Sequence, residues 1–262
     1  MSEHILSGAQ VTRSFGGLVA VDQVTFDVAP REIFGIVGPN GAGKSTLFNV
    51  IAGVMPPTSG RIEAFGRRID QLPAHKRCWL GLGRTFQAAQ LFPTHTVEAG
   101  LLSASAAGHR GLAGWLRPER SDAGRAAVAE LLPFLGLSDA HELLPSELTN
   151  LQQQKLAIGM ALATGAQLLL LDEPSGGLIE AEVFELLSFI RKIREHGITV
   201  VVIDHKMRLM MEVCDRIMVM SAGKKIALGT PAEISSNETV QDAYLGRPAG
   251  THRPTRRGAH AG

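Results

Sequence analysis

The chain has 262 residues, 45% of them hydrophobic and 19% charged, and its 26 basic and 25 acidic side chains leave a formal charge of +1. That length can bury one good-sized core with room for a smaller attached unit, and the near-neutral balance gives no reason to expect nucleic acid as a general partner, because phosphate-backbone binding leaves a basic footprint. No apolar run is long enough to cross a bilayer, and residues 1–10 carry neither a basic start nor an apolar signal stretch; Cys78 and Cys214 lack metal spacing, which suits two core thiols in a reducing compartment.

In chain order, the alternating character of residues 10–15 and 21–28 predicts two strands, and the apolar run at 32–37 predicts a buried one. Residues 44–50 read as a helix closed by Gly53, and 60–66 as a further short strand. Residues 96–163 lack strand signals and are rich in Ala, Leu and Gly, which predicts a mostly helical insertion. Strand runs return at 167–171, 198–203 and 216–220, with a helical pattern at 180–196 between the first two, and Met207, Met210 and Met211 read as the packed face of another helix. Alternation of this kind implies a parallel sheet covered by helices. Residues 247–262, rich in Arg, Gly and Pro, are expected to form a disordered tail.

Three motifs carry chemistry. Gly38, Pro39, Asn40, Gly41, Ala42, Gly43, Lys44, Ser45 and Thr46 form a complete Gly-x-x-x-x-Gly-Lys-Ser phosphate-binding loop between a strand and a helix. Its backbone N–H groups suit the α- and β-phosphates of a nucleotide, Lys44 can reach the β- and γ-phosphates, and the Ser45 hydroxyl can ligate Mg²⁺. Leu168, Leu169, Leu170 and Leu171 then end in Asp172 and Glu173, two carboxylates at the carboxyl end of a strand. Asp172 is placed to hold Mg²⁺ and Glu173 to polarise an attacking water; the plainer reading is an acidic pair complementing the next helix dipole. His205 follows another strand onto the same rim, where its imidazole can donate to a γ-phosphate oxygen.

Together with Gln87 in Gly83-Arg84-Thr85-Phe86-Gln87, these motifs resemble the nucleotide-binding subunit of ABC transporters, and the resemblance spans residues 10–246. More narrowly, residues 14–21, 83–87, Leu91-Phe92, Thr96-Val97 and Ala243-Tyr244-Leu245-Gly246 are similar to the subfamily serving branched-chain amino acid importers. The resemblance implies an α/β P-loop fold over residues 5–246, with a parallel core sheet, an antiparallel β subdomain and a helical subdomain at about 96–163. It implies ATP and Mg²⁺ as cofactors. Its partners would be membrane-spanning permease subunits and, indirectly, an extracytoplasmic solute-binding protein; its place would be peripheral, at the cytoplasmic face of the cell membrane. By the same resemblance Phe15 stacks on adenine, although a strand-end core residue is the simpler alternative. Gln87 touches Mg²⁺ or the water and reports nucleotide state to a membrane subunit, with a polar loop residue as its plain alternative.

The signature segment departs from the family pattern. Leu148, Thr149, Asn150, Leu151 and Gln152 stand where the family has Leu-Ser-Gly-Gly-Gln. Thr149 and Gln152 are expected to contact nucleotide held by an opposing subunit, whereas Leu151 replaces a glycine and is expected to hold the backbone away from the phosphate. A homodimer would carry that defect in both of its sites. The expectation is therefore a heterodimer with a paralogous ATP-binding subunit, in which hydrolysis concentrates where Lys44, Asp172, Glu173 and His205 meet the partner's signature. A regulatory subunit that binds ATP and hydrolyses little stays open as the alternative.

Overall fold

The computed structural model describes residues 4–85, 91–108 and 122–245. β1 (Leu6–Phe15) and β2 (Leu18–Val28) form a hairpin, β3 (Ile33–Val37) leads into α1 (Lys44–Ala52), and β4 (Ser59–Ala64), β5 (Arg67–Arg68), α2 (Ala74–Trp79) and β6 (Leu82–Arg84) follow. α3 (Val97–Gly108), α4 (Asp122–Leu135) and α5 (Asn150–Ala163) pack on one another. The chain continues through β7 (Leu168–Asp172), α6 (Glu180–Glu195), β8 (Thr199–Ile203), α7 (Met207–Val213), β9 (Arg216–Ser221), β10 (Lys224–Gly229), α8 (Pro231–Ser235) and α9 (Glu238–Leu245).

Two sheets result. One is antiparallel, in the order β2-β1-β4-β5; the other runs β10-β9-β3-β8-β7-β6 and is parallel except for β10. The central strands β3, β7 and β8 are buried along their whole length, which is why they read as unbroken apolar runs. Their side chains still alternate between faces. Phe34, Ile36, Leu168, Leu170, Val201 and Ile203 join α1 and the antiparallel sheet in one core, while Ile33, Val37, Leu169, Leu171, Val200 and Val202 join the helices on the other face in a second. Because Asp172 continues the Leu168, Leu170 series, it leaves the sheet on the face that carries α1.

The fold is α/β with a mainly parallel central sheet, an antiparallel sheet and helices, as the resemblance implied. Sequence patterning missed β5, β6, β10, α2, α8 and α9. It also read Cys78 as a core thiol, and the structure corrects this: Cys78 is half-buried on α2, whereas Cys214 is buried and its thiol pKa is pushed up by burial. Met210 is buried and Met207 and Met211 pack against the same core, in keeping with a packed helix face.

Arg77 fastens α2 to the end of α1. Its side chain is buried, yet its guanidinium donates to the carbonyls of Val50 at 2.7 Å, Ile51 at 2.6 Å, Leu72 at 2.7 Å and Asp70 at 3.2 Å. Two of those acceptors lie in the last turn of α1, where helix carbonyls lack intrahelical partners and the dipole favours a cation. Burial pulls the guanidinium pKa down to about 10, against the opposing pull of Asp70, so it stays charged at neutral pH. Gly53 closes α1 in the left-handed region at φ 79°, and a Cβ there would meet Arg77 Nε at 2.6 Å. Arg77→Met should therefore cost about 3 kcal/mol by leaving buried carbonyls unpaired, lowering the melting temperature by roughly 6–12 °C in thermal unfolding. An unchanged melting temperature would mean that water caps the helix just as well.

Candidate active site

The phosphate loop joins β3 to α1 and borders a cleft of about 460 Å³ lined by residues 40–46, Leu18, Val19, Ala20, Glu173, Ala222 and Gly223. No side chain caps α1, and its first turn carries no acidic residue, so the positive end of the helix is left open to an anion. Gly43 at the N-cap has φ 95°, and a Cβ on it would meet the Ala20 carbonyl oxygen at 2.3 Å. The loop thus packs against β2 too closely for any side chain at that position. Lys44 is buried, and its Nζ donates to the carbonyls of Gly38 at 2.7 Å and Pro39 at 3.0 Å. Burial lowers its pKa, while the nearby carboxylates of Glu173 and Asp204 act in the opposite direction. An ammonium desolvated in this way, at a helix N-terminus, is suited to gain a phosphate.

β7 and β8 end at the same rim. Glu173 follows β7 with a left-handed backbone at φ 46°, an unfavourable conformation for a glutamate, and its N–H donates to the Ile203 carbonyl at 2.9 Å. His205 Nδ1 lies 3.6 Å from Glu173 Oε2 and 3.7 Å from Asp204 Oδ1, so the structure brings the expected base and the expected imidazole together. Asp172 is buried, and its Oδ2 accepts from Arg84 Nη2 at 3.1 Å. Sequence reading did not anticipate that pairing. Gln87 lies outside the described residues.

Phe15 is 44% exposed at the end of β1, paired with Leu18 across the hairpin, and the Arg13 guanidinium sits 4.7 Å from its ring centre. It is therefore not a core residue; its ring is available near a cleft whose wall includes Leu18 and Val19, and an aromatic face of this kind suits a base. Sequence reading also passed over the β9–β10 turn. Ala222 and Gly223 adopt positive φ there, Gly223 N–H donates to the Ala42 carbonyl at 3.1 Å, and Asp22 N–H donates to the Gly223 carbonyl at 2.8 Å. A two-residue turn with Gly second, between β-patterned runs, was the available signal.

The signature segment opens α5. Thr149 is the N-cap: its Oγ1 accepts from Gln152 N–H at 3.2 Å, and its own N–H donates to Gln152 Oε1 at 2.9 Å, a reciprocal capping box. Neither residue lines the cleft at the phosphate loop of this chain. Asn150 Nδ2 donates to the Gly177 carbonyl at 3.2 Å, tying the helix start to the loop after Glu173. Leu151 is only 7% exposed and packs in the helical core. The expected obstruction is thus corrected: the isobutyl group points into the protein, so the side chain itself does not stand between the helix end and a phosphate.

A phosphate loop at a strand-to-helix junction on a mainly parallel sheet defines a P-loop nucleotide hydrolase. A family profile described as ABC transporter matches residues 21–176, and one described as branched-chain amino acid ATP-binding cassette transporter matches residues 224–250. The chain belongs to the ABC transporter family, as an ATP-binding subunit that hydrolyses ATP to power transport. It is 38% identical over 256 residues to the high-affinity branched-chain amino acid transport ATP-binding protein BraF of Pseudomonas aeruginosa, covering 94% of this chain and 99% of that protein. It is 37% identical over 258 residues to the protein of the same description, LivG, of Escherichia coli, again covering 94% and 99%. The crystal structure of the ADP conformation of an ATP-binding cassette of an ABC transporter matches with a TM-score of 0.83 and 27% identity, covering 94% of this chain and 100% of that one.

Two substitutions test this geometry. Lys44→Ala removes the one buried ammonium at the loop and should weaken ATP binding by about 2–4 kcal/mol, at least 25-fold in a nucleotide titration. Leu151→Gly should leave ATP hydrolysis no faster and destabilise the chain by about 3 kcal/mol through the cavity it opens, read by denaturant unfolding. Faster hydrolysis in that variant would restore the obstruction.

Proposed function

We propose that the chain is one of two ATP-binding subunits of an importer for branched-chain amino acids or related small solutes, seated at the cytoplasmic face of a membrane. The observation that carries this is the cleft where the open end of α1 and Lys44 face Glu173, in a chain that aligns along 94% of its length with transport ATP-binding proteins of that description. Mg²⁺ fits the donors at hand. The Ser45 hydroxyl opens the helix and Asp172 leaves β7 on the face of α1; both supply hard oxygen ligands, which Mg²⁺ combines with phosphate and water. In this reading Glu173 would act as general base, His205 would hold the γ-phosphate side of the attacking water, Gln87 would serve as a contact to Mg²⁺ or the water, and Phe15 would offer its ring to adenine.

Thr149 and Gln152 lie away from the chain's own phosphate loop, so the proposal has them meet the nucleotide of a second ATP-binding subunit, a paralogue of this chain. The likeness to branched-chain amino acid transport ATP-binding proteins supports a membrane-spanning partner subunit, and among the described residues no helix is long and apolar enough to cross a membrane. A groove of about 400 Å³ offers that subunit a seat. It is lined mainly by apolar side chains, among them Val54, Cys78, Phe92, Ala104 and Met160, and Val54 and Phe92 are exposed on it. A solute-binding protein would act through the membrane subunit.

The test is ATP hydrolysis and solute uptake by the complex reconstituted with its permease and partner ATP-binding subunits, with Glu173→Gln in this chain alone. We expect hydrolysis at the site built on this chain to fall at least 100-fold while ATP stays bound there, because removing a general base costs about that much. Undiminished turnover would move catalysis to the partner. Phe92→Asp should separate the chain from its membrane subunits on co-purification while leaving its own ATP affinity within about twofold; retention of the complex would place the contact elsewhere.

A further inference from the structure

Arg84 touches three regions that the proposed function otherwise treats separately. It ends β6, the edge strand beside β7, in register with Leu170. Its Nη2 is 3.1 Å from Asp172 Oδ2, and the two side chains are only 13% and 12% exposed. Its guanidinium carbon lies 5.1 Å from the centre of the Phe48 ring, on the helix that begins with Lys44 and Ser45. Arg84 also lines the apolar groove, together with Leu82, Gly83 and Thr85. Thr85 continues the connection: its N–H donates to the Leu170 carbonyl at 2.9 Å, and its Oγ1 accepts from the Asp172 N–H at 3.5 Å.

We propose that Arg84 is a positioning residue that serves as counter-cation to Asp172 before the metal arrives, and that Mg²⁺ must displace it, so that the state of the groove and the metal affinity of the site are linked. The proposal rests on the assignment of Asp172 to Mg²⁺. A carboxylate this sheltered needs a positive partner, since removing one member of a buried pair leaves an uncompensated charge. A divalent ion arriving at Asp172 meets a guanidinium already there, and two cations close together in a sheltered site repel strongly. Metal binding therefore loosens Arg84 from Asp172, and Arg84 is part of the groove wall. The reverse must hold with equal strength: an occupant of the groove that draws Arg84 away from Asp172 raises the affinity for Mg²⁺.

The experiment measures binding of a fluorescent ATP analogue to the purified full chain across a series of Mg²⁺ concentrations and in EDTA, and melting temperatures with Mg²⁺ alone. The variants are Arg84→Met, Arg84→Lys and Asp172→Asn. Arg84→Met should lower the half-saturating Mg²⁺ concentration at least threefold, with binding in EDTA changed by less than twofold. It should also melt lower in EDTA, and Mg²⁺ without nucleotide should reverse that loss. Arg84→Lys keeps a charge on a shorter and less directed donor and should shift the Mg²⁺ midpoint the same way by a smaller factor; it carries the test if the methionine variant does not fold. An unchanged midpoint in the Arg84 variants, with Asp172→Asn abolishing the Mg²⁺ dependence, overturns the role of Arg84 and leaves the metal assignment standing. If Asp172→Asn keeps the full Mg²⁺ dependence, the metal assignment fails and the counter-cation role fails with it.

Discussion

The open N-terminus of α1 is the constraint on which the rest of this structure depends. A helix that starts with a glycine N-cap, no side-chain cap and no acid in its first turn leaves several backbone donors pointing at one spot, and the buried ammonium of Lys44 adds a full charge beside them. Among the described residues the ammonium donates to two carbonyls of its own loop. Such a concentration of positive potential persists because the surroundings fix it in place. β2 presses on Gly43 through the Ala20 carbonyl, the β9–β10 turn bonds both to Ala42 and to Asp22, and Arg77 fastens the far end of α1 to α2. The antiparallel sheet is thus more than a cover for the core, because its hairpin supplies one wall of the cleft and the contacts that hold the loop in shape.

How much of this the sequence disclosed follows from where the determining contacts lie. β3, β7 and β8 were legible because strands buried on both faces read as short unbroken apolar runs, and the phosphate loop and the Asp172-Glu173 pair were legible because each is contiguous. β6 has three residues and β5 two, too few to establish a period, and β10 begins with two exposed lysines on an edge. The side chains that complete the cleft were not legible for a different reason. Leu18, Val19 and Ala20 reach the phosphate loop only through the packing of one sheet on the other, and Arg84 meets Asp172 only because β6 pairs with β7 across 88 residues of chain.

Leu151 marks the point where motif alignment and helix geometry disagree, and geometry decides. Aligned as a motif, it replaces a glycine that faces a phosphate. Read along the helix, it shares a face with Gln154 and Ile158, three and seven positions on, and both are buried. What α5 presents at its outer end is Thr149 and Asn150. The case for unequal hydrolysis sites can no longer rest on a protruding side chain. It would have to come from the backbone at Asn150, whose side-chain amide already holds the loop that follows Glu173.

Three unfavourable features meet at one rim. A glutamate in the left-handed region, a desolvated lysine and a carboxylate sheltered against a guanidinium each oppose local stability, and Glu173 and Lys44 both border the cleft. The alternating faces of the strands beneath fill two continuous cores. On the proposed assignment a nucleotide with its metal relieves these features, phosphate answering Lys44 and the helix end and the cation answering Asp172. On the same proposal it is Arg84, paired with Asp172 and lining the groove, that carries the rearrangement from the metal site to the groove wall.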